Sequence, residues 1–175
     1  MRTVSLAALG LLLAIQPVLA QAPRRLGVHV HGVTAVDIGL EGSTLQVTLD
    51  APAINMLGFE HPPHNDTESK QIEAVLASLH VPAPWLEPAT AARCVLADSR
   101  IQASGLSASA PSVGHADIDA RYSFRCAEPG RLDHIDIHLA DRYPATHGLA
   151  VDIVLPQKQE RQELGQGEFR VMLAP

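Results

Sequence analysis

Cysteine is scarce in this 175-residue chain, which carries only two, and several chemistries are missing with it. No C-x-x-C pair, no H-E-x-x-H, no G-x-S-x-G and no glycine-rich phosphate loop occurs. Dithiol exchange, the helical zinc-protease site, the serine nucleophile elbow and nucleotide binding therefore have no residues to run on. Past the initiator, Met56 and Met172 stand alone, which argues against a thioether-rich copper(I) site. Cations are outnumbered, 13 Lys and Arg against 19 Asp and Glu, so neither a nucleic acid nor an anionic membrane would attract the chain electrostatically.

No apolar run is long enough to span a bilayer as a helix, which takes about 20 residues. The one near the start, Leu6 to Ile15, is interrupted by Pro17. With Met1-Arg2 before it and Val18-Leu19-Ala20 after it, the segment reads as a signal peptide over residues 1–20, cleaved before Gln21. No cysteine follows it to take a lipid. The expected mature protein, residues 21–175, is extracytoplasmic and of a length that suits one domain. All 19 acidic residues lie beyond the leader and Arg2 within it, so cleavage moves the formal charge from −6 to −7. In an oxidising compartment Cys94 and Cys126 are expected to pair, closing a loop of about 30 residues.

Apolar residues alternate through Val28, Val30, Val36, Ile38 and Leu40, then through Leu45, Val47 and Leu49, with Glu41-Gly42-Ser43 between. Period two around turn chemistry predicts an antiparallel hairpin. Ile54 to His61 reads as a buried connection closed by Pro62-Pro63. Asn65 or Asp66 then caps a helix whose stripe is Ile72, Val75, Leu76 and Leu79, ending near His80 before Pro82 and Pro84. Residues 82–92 read as irregular, Cys94 to Ile101 as a strand and 102–114 as a flexible loop poor in large apolar residues. Ala116 to Cys126 alternates again. Leu132 to Leu139 fits strand or helix, and its β-branched pair favours strand. Leu149 to Leu155 and Phe169 to Leu173 supply the last strands. The order predicts a single α+β domain with a mainly antiparallel sheet, one main amphipathic helix and two loosely similar halves.

Imidazoles and carboxylates recur in this frame. His29 and His31, two apart, would share a strand face, either on one ion or as a solvated polar stripe. Glu60-His61 offers a carboxylate and an imidazole held before two prolines, with His64 a turn later; capping or solvating the helix entry is the alternative use. His115 and Asp117 again share a face, Asp117 ligating directly or orienting the ring. His134 and His138 align on either a strand or a helix. Nitrogen and oxygen donors in an exported chain point to a transition metal, most simply zinc. A hydrolytic zinc centre needs only three protein ligands and an open position, yet no general base is identifiable.

The runs His29-Val30-His31-Gly32-Val33, Ala51-Pro52-Ala53-Ile54-Asn55-Met56-Leu57-Gly58-Phe59-Glu60-His61 and His115-Ala116-Asp117-Ile118-Asp119-Ala120-Arg121-Tyr122-Ser123-Phe124-Arg125-Cys126 resemble the ZrgA-type zinc-binding family, over nearly the whole mature chain. The resemblance implies a periplasmic, non-catalytic protein that binds zinc and supports uptake through ABC-type importer components. Carried over by position, it implies metal binding at His29, His31, Glu60, His61, His115 and Asp117. Relatives often carry a His- and acid-rich insertion where this chain has Gln102 to Gly114, and no histidine lies between those residues here. Buffering of many ions by such a tract is therefore not expected, whereas binding at a folded site is. A site shared across a homodimer, and an envelope protein-interaction module with incidental metal, are the other arrangements these residues allow.

Overall fold

The computed structural model describes residues 30–110 and 114–173. The expected leader and His29 lie outside the described residues. Among the described residues nine strands form two sheets, one six-stranded and one three-stranded, which share a continuous apolar core, and three α-helices accompany them. The α+β architecture and the predominance of antiparallel pairing agree with the sequence reading.

The predicted hairpin is β1 (Val33–Glu41) and β2 (Thr44–Pro52), turned at Gly42 with φ +56°. Strand β4 (Cys94–Ser104) and strand β5 (Asp117–Cys126) extend the sheet beyond β2, all antiparallel. On the other side β1 pairs in parallel with β7 (Gly148–Leu155), which pairs with the edge strand β8 (Lys158–Leu164). Inward residues alternate as period two requires: Val36 and Ile38, Leu45 to Leu49, Ile118 to Phe124 and Leu149 to Ile153 are buried on one face. The small sheet joins β3 (Leu86–Pro88), β6 (His134–Ile137) and β9 (Arg170–Met172), and its Leu86, Ile135, Ile137 and Val171 enter the same core.

Helix α2 (Asp66–Leu79) begins at Asn65, whose side chain accepts from the Glu68 N–H, and turns Ile72 and Leu79 inward. Its last turn is tied to the sheet by Tyr122, whose buried hydroxyl donates to the Leu79 carbonyl at 2.8 Å. Burial, then the neighbouring Tyr143, pushes the Tyr122 hydroxyl well above the usual tyrosine range, so it stays a donor. The residues after the hairpin, read as a buried connection, are buried and form a short helix, α1 (Ala53–Leu57), with Ala53 and Asn55 to Leu57 inside. Helix α3 (Leu139–Arg142) follows β6 directly.

Several sequence expectations change here. β1 starts at Val33 and so does not carry His31 as the pattern suggests, because Gly32 at φ +83° turns the chain; Val30 and His31 precede β1 and are exposed. Residues 102–104 belong to β4 rather than to the loop after it, and Leu106 beyond them is buried. The segment read as irregular contains β3, and β8 went unrecognised altogether. Cys94 and Cys126 face each other across β4 and β5 with their sulfurs 2.01 Å apart, at bonding distance.

Candidate metal centre

Three chain segments meet beside α1, and each delivers one donor. Asn55, 1% exposed, accepts from the Gly32 N–H at 2.7 Å and donates to the Val33 carbonyl at 3.0 Å and the Thr34 hydroxyl at 3.2 Å. A buried amide must spend its donors and acceptor somewhere. Here it spends them fixing the turn that carries His31. Gly32 also accepts from the His147 and Gly148 N–H groups, and a Cβ at this glycine would lie 2.8 Å from the His147 ring. Only glycine fits both the backbone angle and the space.

The second segment arrives at the start of β5. The Ala53 N–H donates to the Ala116 carbonyl at 2.7 Å, holding the residue after His115 against the start of α1. From the other side Gly105 packs so closely that a Cβ there would sit 2.8 Å from the His115 carbonyl oxygen. The third segment leaves α1 itself. Gly58, at φ +81°, closes the helix by donating to the Ile54 carbonyl and turns the chain toward Phe59-Glu60. Gln71 of α2 donates to the Leu57 carbonyl at 2.8 Å and completes the truss.

Glu60 Oε2 thereby lies 3.1 Å from His31 Nε2 and 3.5 Å from His115 Nδ1, and one donor atom from each residue falls within 4.8 Å of the other two. Two ligands about 2.0 to 2.2 Å from a tetrahedral zinc ion stand roughly 3.3 to 3.6 Å apart, so the carboxylate sits at ligand spacing from His115 and at a slightly shorter, hydrogen-bonding distance from His31. The carboxylate side chain is 13% exposed, whereas the imidazoles of His31 and His115 are 55% and 62% exposed. Its second oxygen, Oε1, is buried without a hydrogen-bond partner among the described residues. Leaving a charged acceptor desolvated and unpaired is costly, and a bound cation would supply the missing partner.

Of the other expected donors among the described residues, neither His61 nor Asp117 belongs to this trio. His61 lies with His64 and Glu68 at the entrance to α2, a second group whose donor atoms fall within 4.8 Å of one another. Asp117, the first residue of β5, stands opposite Pro52 and Ser104 and belongs to neither group. His134 Nδ1 donates to Asp133 at 2.6 Å, and His138 stacks on Phe169 with ring centroids 4.4 Å apart. Sequence reasoning missed two contributors. Asn55 was quoted only inside a motif, although a lone amide in an apolar buried run must find partners, and that was its signal. Glu68 was passed over, although Asn65-x-x-Glu68 is the pattern of a capping box.

Residues 28–173 match the family described as ZrgA family zinc uptake protein, and the chain belongs to that family. No curated protein matches the chain.

Proposed function

We propose that this ZrgA-family chain is a periplasmic zinc-binding accessory protein which takes the ion on His31, Glu60 and His115 and supports zinc uptake, without catalysing a reaction. Family membership supports the zinc-related role. One observation carries the assignment to these residues: a largely buried Glu60 carboxylate whose Oε2 lies 3.1 and 3.5 Å from two imidazoles and whose Oε1 has no hydrogen-bond partner among the described residues. Two neutral nitrogens and one carboxylate form a borderline donor set suited to zinc, and the exposure of both rings leaves a coordination position open. His29, two residues upstream of His31, is the proposed fourth donor. Exposed imidazole ligands on a carrier can be displaced one at a time by the donors of an importer component, which the ligands of a buried structural site resist.

The test is zinc titration by calorimetry on the exported protein, purified without a histidine tag, at pH 7.5 and 5.5. We expect a tight binding event at pH 7.5 that weakens at pH 5.5, because protons compete with the metal for the imidazoles. His31→Ala and His115→Ala should each remove that event, and His29→Ala should weaken it. Absence of heat at pH 7.5, or a tight event unchanged in both the His31 and His115 variants, would sink the proposal.

A further inference from the structure

The group at the entrance to α2 consists of His61, His64 and Glu68, with one donor atom from each within 4.8 Å of the other two. His61 and His64 lie nearly parallel, their ring centroids 4.1 Å apart and their planes 8° from one another, and Phe59 stacks on the far side of His61 at 4.8 Å. His61 Nδ1 donates to the Pro62 carbonyl at 2.9 Å and lies 3.9 Å from Glu68 Oε2, so an ion beside Glu68 would take His61 only after that hydrogen bond is given up or the ring turns its Nε2 inward. Pro62 and Pro63 stiffen the segment between the two rings.

Glu68 already holds other partners. Its Oε2 accepts from the His64 N–H at 2.8 Å, its Oε1 accepts from the Asn65 side chain at 3.3 Å, and its own N–H donates to Asn65. Drawing this carboxylate onto an ion gives up part of that cap, and the start of a helix is the positive end of its dipole. Both effects lower cation affinity without abolishing it. Zinc or a similar divalent ion would meet two nitrogens and one carboxylate here, the same donor types as at Glu60, under less favourable terms.

We propose that His61, His64 and Glu68 form a second, weaker divalent-cation site, from which ions exchange readily. Glu60 and His61 are consecutive, so each site takes one donor from the same Glu-His-Pro-Pro segment. Its role as an exchange point beside the tighter centre rests on the function proposed above; its existence as a site does not. Loss of a cap alone corresponds to roughly a five- to tenfold penalty, so the second event should be at least that much weaker than the first.

Equilibrium dialysis and calorimetry with zinc alone, at pH 7.5, test this on the exported chain. Wild type should bind two equivalents in two resolved steps. His64→Ala and Glu68→Gln should each delete the weaker step and leave the tight one, and Gln keeps the capping box, so Glu68→Gln tests the ligand without unpicking the helix. Circular dichroism of both variants checks the fold. Saturation of wild type at one equivalent, or two equivalents retained in both folded variants, overturns the second site. The converse variants separate the two proposals: His31→Ala that deletes only the tight step upholds both. If His64→Ala deletes one step while His31→Ala and His115→Ala delete none, the second site stands and the Glu60 centre falls.

Discussion

The donor groups at the head of β1 and at the entrance to α2 are built from the same parts, two histidines and one glutamate, yet their side chains are held in opposite ways. At Glu60 the backbone is braced from three directions while one carboxylate oxygen is buried with no hydrogen-bond partner among the described residues. At Glu68 both carboxylate oxygens accept hydrogen bonds and the two rings stack on each other. Preorganised side chains with an unmet electrostatic demand favour tight capture, whereas donors engaged elsewhere must be released first. Composition alone does not separate a tight site from a weak one. What separates them is how far each donor is already satisfied by the protein.

The largest expected effect breaks this contrast at its source. Glu60→Gln should lower zinc affinity about 100-fold or more, while the melting temperature in chelator stays level or rises, because a desolvated charge has been removed. The zinc-induced rise in melting temperature should shrink to what the second site supplies. A marked loss of stability in chelator would mean that Glu60 is structurally satisfied after all.

Asn55→Ala should come next, at about 2 to 3 kcal/mol in denaturant unfolding, since it strips partners from the buried backbone of the Gly32 turn. Zinc affinity should fall with it, because His31 loses its support. If affinity holds while stability drops, the His31 turn does not need its brace. Asn65→Ala addresses the other cluster: about 1 kcal/mol of stability should go with the cap, yet the weaker zinc step should persist or tighten, since Glu68 is released.

The smallest effect serves as a control away from both clusters. Arg170 donates from Nε and Nη2 to the two Asp136 oxygens at 2.7 and 2.8 Å across β6 and β9, and this holds the Asp136 carboxyl below its ordinary range. A depressed folded value means that the pair stabilises the protein above the ordinary carboxylate range and ceases to do so as pH falls through the depressed one. Asp136→Asn should therefore slightly flatten the acid limb of the stability curve. Zinc binding at pH 7.5 should be unmoved.

Where the chain's pattern is amphipathic, the sequence is enough to read it. Ile72, Val75, Leu76 and Leu79 mark α2, and the alternations around Gly42 mark β1 and β2, because those side chains segregate between core and water. Strand β8 has the sequence Lys-Gln-Glu-Arg-Gln-Glu-Leu, and nothing in it announces burial. It is an edge strand held by β7 and by Gln162, whose amide donates to the Met172 carbonyl and accepts from the Met172 N–H. Helix α1 is five residues long and gains its stability from contacts that only the assembled fold provides. At the candidate centre, donor types were legible but their grouping was not. His61 and Glu60 are adjacent in sequence and part company at one peptide bond, a division that depends on where the flanking elements lead.

Parallel pairing of β1 with β7 sets Val33 beside Gly148, 115 positions apart, while the antiparallel partner β2 is reached across one tight turn. Contacts between residues so remote along the chain repay their closure entropy late in folding. The backbone carrying His31 is therefore locked on one flank only after the final third of the polypeptide has emerged and docked. If the chain is exported and binds metal as proposed, the geometry around His31 would be among the last to form during its maturation.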